Sequence, residues 1–262
     1  MARGRAVAQT ARVVCRLVLG LCAALALPAC NARLNLGSGI LWSAQHETGD
    51  LSEWKAGGKG GGEAQGSDTT VALSTDYAHT GRYSVKLTNG AVSTYEDAHL
   101  WRQDDYPVEA YYSAWFYLPR TYQTTADWSI IEFQVPTVEA GVVGQLLDID
   151  LRSLPTGDLI LSVYDHRAEY LRAPTPDPAM PVPIGRWFQV EVRYRNADDD
   201  TGGVTIWLDG QPNYDLPRPF GASSSVYWTV CSKTYGLSPT ESTIYVDDAA
   251  VSLVRVTPTG TL

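Results

Sequence analysis

The chain has 262 residues, a formal net charge of −9 and four cysteines. The length suits one large domain with a sizeable core rather than two small ones. The acidic balance leaves no broad basic surface and so excludes nucleic acid as a partner.

The N-terminus carries Arg3, Arg5, Arg12 and Arg16 without an acid, followed by an apolar run from Leu17 to Leu27 that is too short to span a bilayer. This reads as an export signal over 1–29. It closes on Leu27-Pro28-Ala29-Cys30, which resembles the lipobox of bacterial lipoproteins, with Pro28 where a small residue is more usual. Cys30 is then the expected lipidated first residue and membrane anchor of the mature chain, placed in the cell envelope or at its surface. Residues 30–40 form a tether and 41–257 the folded domain. Cleavage before Cys30 removes four Arg and no acid, which takes the formal charge from −9 to −13. Cys15 and Cys22 leave with the signal, so Cys231 stands alone and no intrachain disulfide is expected.

No helical periodicity persists beyond the signal, whereas short alternating runs recur along the whole chain. Strands are expected at Thr70–Ser74, Tyr83–Thr88, Ala98–Gln103, Tyr111–Leu118, Ser129–Val135, Leu146–Leu151, Leu159–Asp165, Phe188–Arg195, Val204–Leu208, Tyr227–Tyr235 and Thr243–Leu253. Gly57 to Gly62 reads as a flexible loop. Ala173 to Pro183, with five prolines, reads as an extended connection that cannot enter a ladder interior. The clearest hairpin runs from Trp187 to Gly210. Phe188, Val190, Val192 and Tyr194 alternate with Gln189, Glu191, Arg193 and Arg195, and Val204, Ile206 and Leu208 alternate with Thr205 and Trp207. Its wet-face residues Gln189, Glu191, Arg193 and Trp207 include no His or Tyr, which assigns it to a supporting sheet. The pattern predicts an all-β, two-sheet antiparallel jelly-roll sandwich.

Alternation also sorts the polar residues. Asp148, Asp150 and Arg152 share one face of their strand at about 7 Å intervals, opposite Leu147, Ile149 and Leu151. Ser162, Tyr164 and His166 share a face of theirs, as do Glu132 with Gln134, and His99 with Trp101. Tyr227, Thr229, Cys231, Lys233 and Tyr235 share one side of a late strand. If the strand order aligns these rows, they line one cleft. Otherwise they are cross-strand polar pairs such as any wet sheet face carries. His46 and His79 fall in loops and read as structural. A second cluster joins the two ends of the domain, with Glu47 and Asp50 at the start and Asp247 and Asp248 in the last strand. Clustered carboxylates beside a glycine turn suit a structural Ca²⁺.

The segments LWSAQHETGDLSEW, STDYAHTGRYSVKL, EAYYSAWFYLP, the GRWFQVEVRYR to TIWLDG hairpin and STIYVDDAAVS resemble bacterial jelly-roll proteins of the heparin-lyase-I-like polysaccharide lyase group, which has the concanavalin A-like fold. The resemblance covers nearly all of the mature chain. It implies β-elimination on a uronate-containing polysaccharide. A neutral or cationic group offsets the uronate carboxylate, a Tyr or His removes the C5 proton, and a Tyr protonates the departing O4. On that basis Gln134 or Arg152 meets the carboxylate, His99 or His166 is the base, and Tyr164 or Tyr235 the acid. Lys233 and Tyr235 stand where lyases of this fold often carry a Lys and a nearby Tyr, with Leu237 where a further Tyr is expected. Trp101, Arg102, Asp148, Asp150 and Glu132 are candidate substrate contacts, and Arg102, Arg152, Arg167, Arg172 and Lys233 can supply a basic groove. The alternative is a non-catalytic glycan-binding or structural envelope lipoprotein, with Trp101, Trp115 and Tyr164 as a stacking platform.

Overall fold

The computed structural model describes residues 39–90, 96–136, 143–167, 171–219, 225–234 and 236–258. Two antiparallel sheets account for nearly all of it. In chain order the elements begin with β1 (Ile40–Ala44), one short helical turn α1 (Ser52–Lys55), β2 (Gly60–Gln65), β3 (Thr69–Ser74) and β4 (Ser84–Asn89). They continue through β5 (Glu96–Asp104), β6 (Glu109–Tyr117), β7 (Gln123–Thr124), β8 (Trp128–Pro136), β9 (Val143–Ser153), β10 (Leu159–Asp165) and β11 (Leu171–Arg172). The last are β12 (Trp187–Arg195), β13 (Gly203–Leu208), β14 (Gln211–Pro217), β15 (Val226–Thr234), β16 (Leu237–Ser238) and β17 (Ser242–Ser252).

One sheet has the order β14-β13-β12-β6-β17-β4-β3, with β1 added along the far half of β17; the other has the order β11-β10-β9-β8-β15-β5-β2. Strands adjacent in space are thus often distant in sequence, as in a jelly roll. This is the expected fold class. The core lies between the sheets because each strand turns its alternate apolar residues inward. Trp54, Trp128 and Trp228 are fully buried there, with Tyr112, Phe116, Phe133 and Phe188. Trp54 meets Trp42 edge-on at 4.7 Å and tilts against Trp228 at 6.0 Å. Aromatic burial of this extent, at 150–250 Å² per ring by general experience (about that range), dominates the packing energy.

Three expectations need correction. Gly57 to Gly62 is not a free loop throughout, because β2 begins at Gly60 and pairs with β5 as the sheet edge. The glycines are needed for close approach: a Cβ on Gly61 would stand 1.8 Å from the Trp54 carbonyl oxygen. Ile40 belongs to a strand rather than to a tether, since it pairs with Ser252. The outer face of the Trp187 to Gly210 hairpin is covered around Gln189, Glu191 and Trp207, and stays part wet at Arg193 and beyond. Glu191 is 0% exposed, accepting from Arg255 Nε at 2.8 Å and from the Val256 amide at 2.5 Å, while Gln189 Nε2 donates to the Val256 carbonyl at 2.6 Å. Arg255 also lies over the Trp207 ring. The segment after β17 is therefore a strap across the supporting sheet, and it was invisible to alternation because a polar face can be buried by polar partners.

Candidate functional site

The second sheet aligns the polar rows on one face. On the central strand β15, Tyr227 stands opposite Gln134 of β8 and Gln103 of β5, Thr229 opposite Glu132 and Trp101, and Lys233 opposite Ser129 and Asp97. Further along, Asp148 of β9 pairs in register with Glu132 on one side and Tyr164 on the other, and Asp150 with Ser129 and Ser162. Antiparallel partners directly opposite one another share a face, so Trp101, Thr229, Glu132, Asp148 and Tyr164 form one row across five strands. Irregular register between Ser129 and Ile131 and between Val230 and Lys233 breaks the ladder at the centre. Such bulges re-aim side chains. Lys233 accordingly reaches past its direct neighbour, and its Nζ lies 2.6 Å from Glu132 Oε1.

Glu132, 3% exposed, also accepts from Gln134 Nε2 at 2.6 Å. Burial, and then the nearby Asp148 and Asp97, push its carboxyl well above the usual range. Burial lowers the Lys233 ammonium to about 8. Asp150 is pushed up to about 7, first by burial and then by Asp148; it accepts from Ser129 Oγ at 2.8 Å and pairs with Arg172 Nη1 at 3.4 Å. Asp148 is raised by burial as well, against the pull of His166, whose Nε2 lies 2.7 Å from its Oδ2. The other oxygen, Oδ1, is buried and has no hydrogen-bond partner among the described residues. Tyr164 meets the His166 ring edge-on at 4.9 Å. On the other flank His99 Nδ1 is 2.9 Å from Asp97 Oδ1, and Trp101 stacks on Tyr227 at 4.7 Å. Three crowded carboxylates, two His–Asp pairs, a depressed lysine and an aromatic stack thus share one face of the second sheet, the candidate cleft. It is a site able to hold sugar rings and move protons.

Most of the residues singled out in the sequence meet here: His166, Tyr164, Gln134, His99, Lys233, Trp101, Asp148, Asp150 and Glu132. Arg102 does not. It shares the inward parity of Ala98 and Leu100, is 3% exposed, and donates to the Trp54 and Ala56 carbonyls at 3.2 and 2.7 Å, so it anchors α1 rather than a ligand. Arg152 has the expected parity but stands at the exposed end of β9, away from the Glu132 and Asp148 row. Trp115 lies on β6 of the opposite sheet, stacked under His79 at 3.7 Å, and is no part of the cleft platform. Tyr235 and Cys30 lie outside the described residues. Arg172, expected as part of a basic groove, is tied into the site: from the short edge strand β11 it bonds Asp127, Asp150 and Ser162 and lies over the Tyr164 ring. Its two-residue strand has no readable alternation.

At the two ends of the domain, Glu47 Oε1 accepts the Arg82 and Tyr83 amides at 2.8 and 2.9 Å. Asp247 Oδ2 accepts those of His79 and Thr80, and Asp248 bonds the His79 ring and the Thr80 hydroxyl. These three carboxylates clamp one loop. Asp50 stands apart, bonded to Thr48 and Ser52 in solvent. Among the described residues no group of three or more His, Cys, Asp or Glu is arranged to hold a metal ion. His46 is structural as expected, buried between Trp54 Nε1 at 3.0 Å and Asp247 at 3.3 Å.

Comparison with known proteins bears on this cleft. Solved structures of similar fold include an endo-β-1,4-glucuronan lyase from the fungus Trichoderma reesei, with a TM-score of 0.61, 15% identity, and coverage of 82% of this chain and 96% of that one. The cellulose induced protein Cip1 aligns with a TM-score of 0.59 and 18% identity over 82% of this chain and 98% of its own. The alginate lyase Aly36B aligns with a TM-score of 0.55 and 12% identity over 85% and 95% respectively. At these identities the likeness is one of fold. A search of curated protein sequences gives no match. A family model described as Polysaccharide lyase matches residues 46–226, which is most of the described domain, and the chain belongs to that polysaccharide lyase family.

Proposed function

We propose that the protein cleaves a uronate-containing polysaccharide by β-elimination in the cleft of the second sheet. The observation that carries this reading is the convergence, around the buried Glu132 and Asp148, of a carboxylate-held histidine, a tyrosine and an amide-plus-ammonium pair. In elimination, the C5 proton of a uronate becomes acidic only when the charge on the adjacent carboxylate is offset. Gln134 and Lys233, both bonded to Glu132, supply the donors for that. His166, held by Asp148, takes the proton. Tyr164, in contact with the His166 ring, protonates the departing O4. His99, held by Asp97 on the opposite flank, is the second candidate base. The Trp101–Tyr227 stack offers a ring face to a neighbouring sugar.

The fold relatives described as glucuronan and alginate lyases support the substrate class. The heparin-lyase-I-like grouping and export with lipidation at Cys30 belong to this proposal too, whereas the Ca²⁺ expected at Glu47, Asp50, Asp247 and Asp248 does not, because the described residues there are not arranged to hold a metal ion. The test is to incubate the protein with a panel of uronate polymers and follow the ultraviolet absorbance of the unsaturated product. Release of that product from at least one polymer is expected. Retention on a uronan column with no product from any polymer would make the protein a glycan-binding module instead.

A further inference from the structure

A polar pocket lies beside the cleft, at the end of β9. It holds about 300 Å³ and is lined by Thr124, Thr125, Ala126, Asp127, Arg152, Ser153 and Arg172. Its walls are fixed from both sides. The Thr124 amide donates to Ser153 Oγ and the Ser153 amide to Thr124 Oγ1, each at 2.8 Å. Thr125 bonds the Gly236 carbonyl through both its amide and its hydroxyl, each at 2.8 Å. The pocket therefore needs no rearrangement to form. It adjoins the polar face of the second sheet, because Arg172 lines it while bonding Asp150 and Ser162.

The charges within it are unevenly matched. Arg172 is held by Asp127 and Asp150. Arg152 is exposed and, among the described residues, forms no ion pair, so both carboxylates nearby are turned to Arg172 and the Arg152 guanidinium is open to an incoming anion. A guanidinium presents a planar fork that fits a carboxylate with two parallel hydrogen bonds. Position excludes Arg152 from the proton-transfer centre. Lys233, Gln134 and His166 all converge on the Glu132 and Asp148 row, and Asp148 lies four residues before Arg152 on an unbroken stretch of β9, roughly 13 Å away. That span is longer than one sugar ring.

We propose that this pocket is a distal subsite that takes the carboxylate of a second uronate on the same glycan, away from the bond being cleaved, with Arg152 as its anion-binding group and the Thr124, Thr125 and Ser153 edge as its wall. The inference rests on the uronate-lyase reading above. It makes the enzyme selective for chains long enough to place an acidic sugar in both the cleft and the pocket, and turns Arg152 from a candidate for the cleavage chemistry into a determinant of chain length and charge pattern.

The experiment compares the wild type with Arg152→Gln and Arg152→Lys on a length series of oligouronates. Steady-state kinetics are combined with calorimetric binding of the same oligomers and of a carboxyl-reduced polymer. A lost guanidinium–carboxylate contact predicts a KM and dissociation constant about tenfold higher for Arg152→Gln on long oligomers. The effect fades as the oligomer shortens below the span of the pocket, kcat changes little, and Arg152→Lys recovers part of the affinity. The reduced polymer shows no difference between the proteins. Equal affinity and equal KM of wild type and Arg152→Gln at every length would overturn the subsite while leaving the lyase reading intact. Binding of long oligouronates without any cleavage, still weakened by Arg152→Gln, would overturn the lyase reading and keep the subsite. No binding of any oligouronate by the wild type overturns both.

Discussion

Lys233 and Glu132 lie on neighbouring strands with Nζ 2.6 Å from Oε1, both largely sheltered from solvent, at the point where a bulge interrupts the ladder. Burial alone penalises both charges, and the pair persists because each supplies the other's missing partner. The ammonium, lowered from 10.5 to about 8, is charged below that pH and neutral above it. If Lys233 offsets the substrate carboxylate, KM for a uronan rises as the pH passes through about 8. Lys233→Met is expected to lower kcat/KM by about 10²-fold and to remove that alkaline limb. A pH profile of kcat/KM for both proteins reads this directly. A limb that survives in Lys233→Met belongs to another group.

The His166–Asp148 pair makes a separable prediction. His166→Ala is expected to cost on the order of 10²–10⁴ in kcat, while Asp148→Asn, which keeps the shape but loses the charge that orients the ring, costs less. Circular dichroism on both variants checks that the sheet is retained. Full activity in His166→Ala would move the base to His99.

Asp150 ties stability to pH. Its carboxyl rises from 3.8 to about 7 in the folded state, so the fold holds the proton more tightly than the unfolded chain does between those values. Its contribution is fully present below pH 3.8 and is lost as the pH rises through about 7. The melting temperature is therefore expected to fall between pH 5 and pH 8 by more in the wild type than in Asp150→Asn. The variant should be more stable at pH 8, by on the order of 1–3 kcal/mol. Scanning calorimetry at the two pH values decides the sign.

The strap over the supporting sheet is testable without substrate. Removing the chain after Val254 takes Arg255 and the Val256 amide from Glu191 and opens that face to water. The lost charge-assisted hydrogen bonds are expected to cost about 1.5–3 kcal/mol. Glu191→Gln in the full chain should cost less than the truncation, because its one carbonyl oxygen still accepts from one of the two donors while its amide N–H₂ opposes the other. Equal melting of wild type and truncation in urea would mean that the strap is not a stabilising element.

The Glu47, Asp247 and Asp248 clamp on the 79–83 loop bears on the calcium expectation. Because N–H and hydroxyl donors take up these carboxylates, the melting temperature is expected to be indifferent to a chelator and to added Ca²⁺. A fall with chelator that added Ca²⁺ reverses would place a metal there.

Alternation in the sequence determined the fold class, most strand positions and the face on which each polar residue lies, because side-chain direction in a strand is a local property with a period of two. It correctly grouped His99 with Trp101, Glu132 with Gln134 and Tyr164 with His166. Where a local signal was absent or misleading, the expectation failed. Glycines masked the edge strand β2, and two-residue β11 gave no sign of which way Arg172, named only as part of a basic groove, would face. Buried polar residues such as Arg102 and Glu191 looked wet because composition does not say what will cover them.

Only the tertiary structure decided that β15 runs between β8 and β5, joining segments more than ninety residues apart in the chain. That order brings Lys233 to Glu132 and leaves Arg152 at the end of β9, in a pocket walled by Thr124, Thr125 and Ser153 with Asp127 and Arg172. Strand order is set by how the two sheets bury their shared aromatic core, a global packing solution to which every strand contributes and which no single segment encodes.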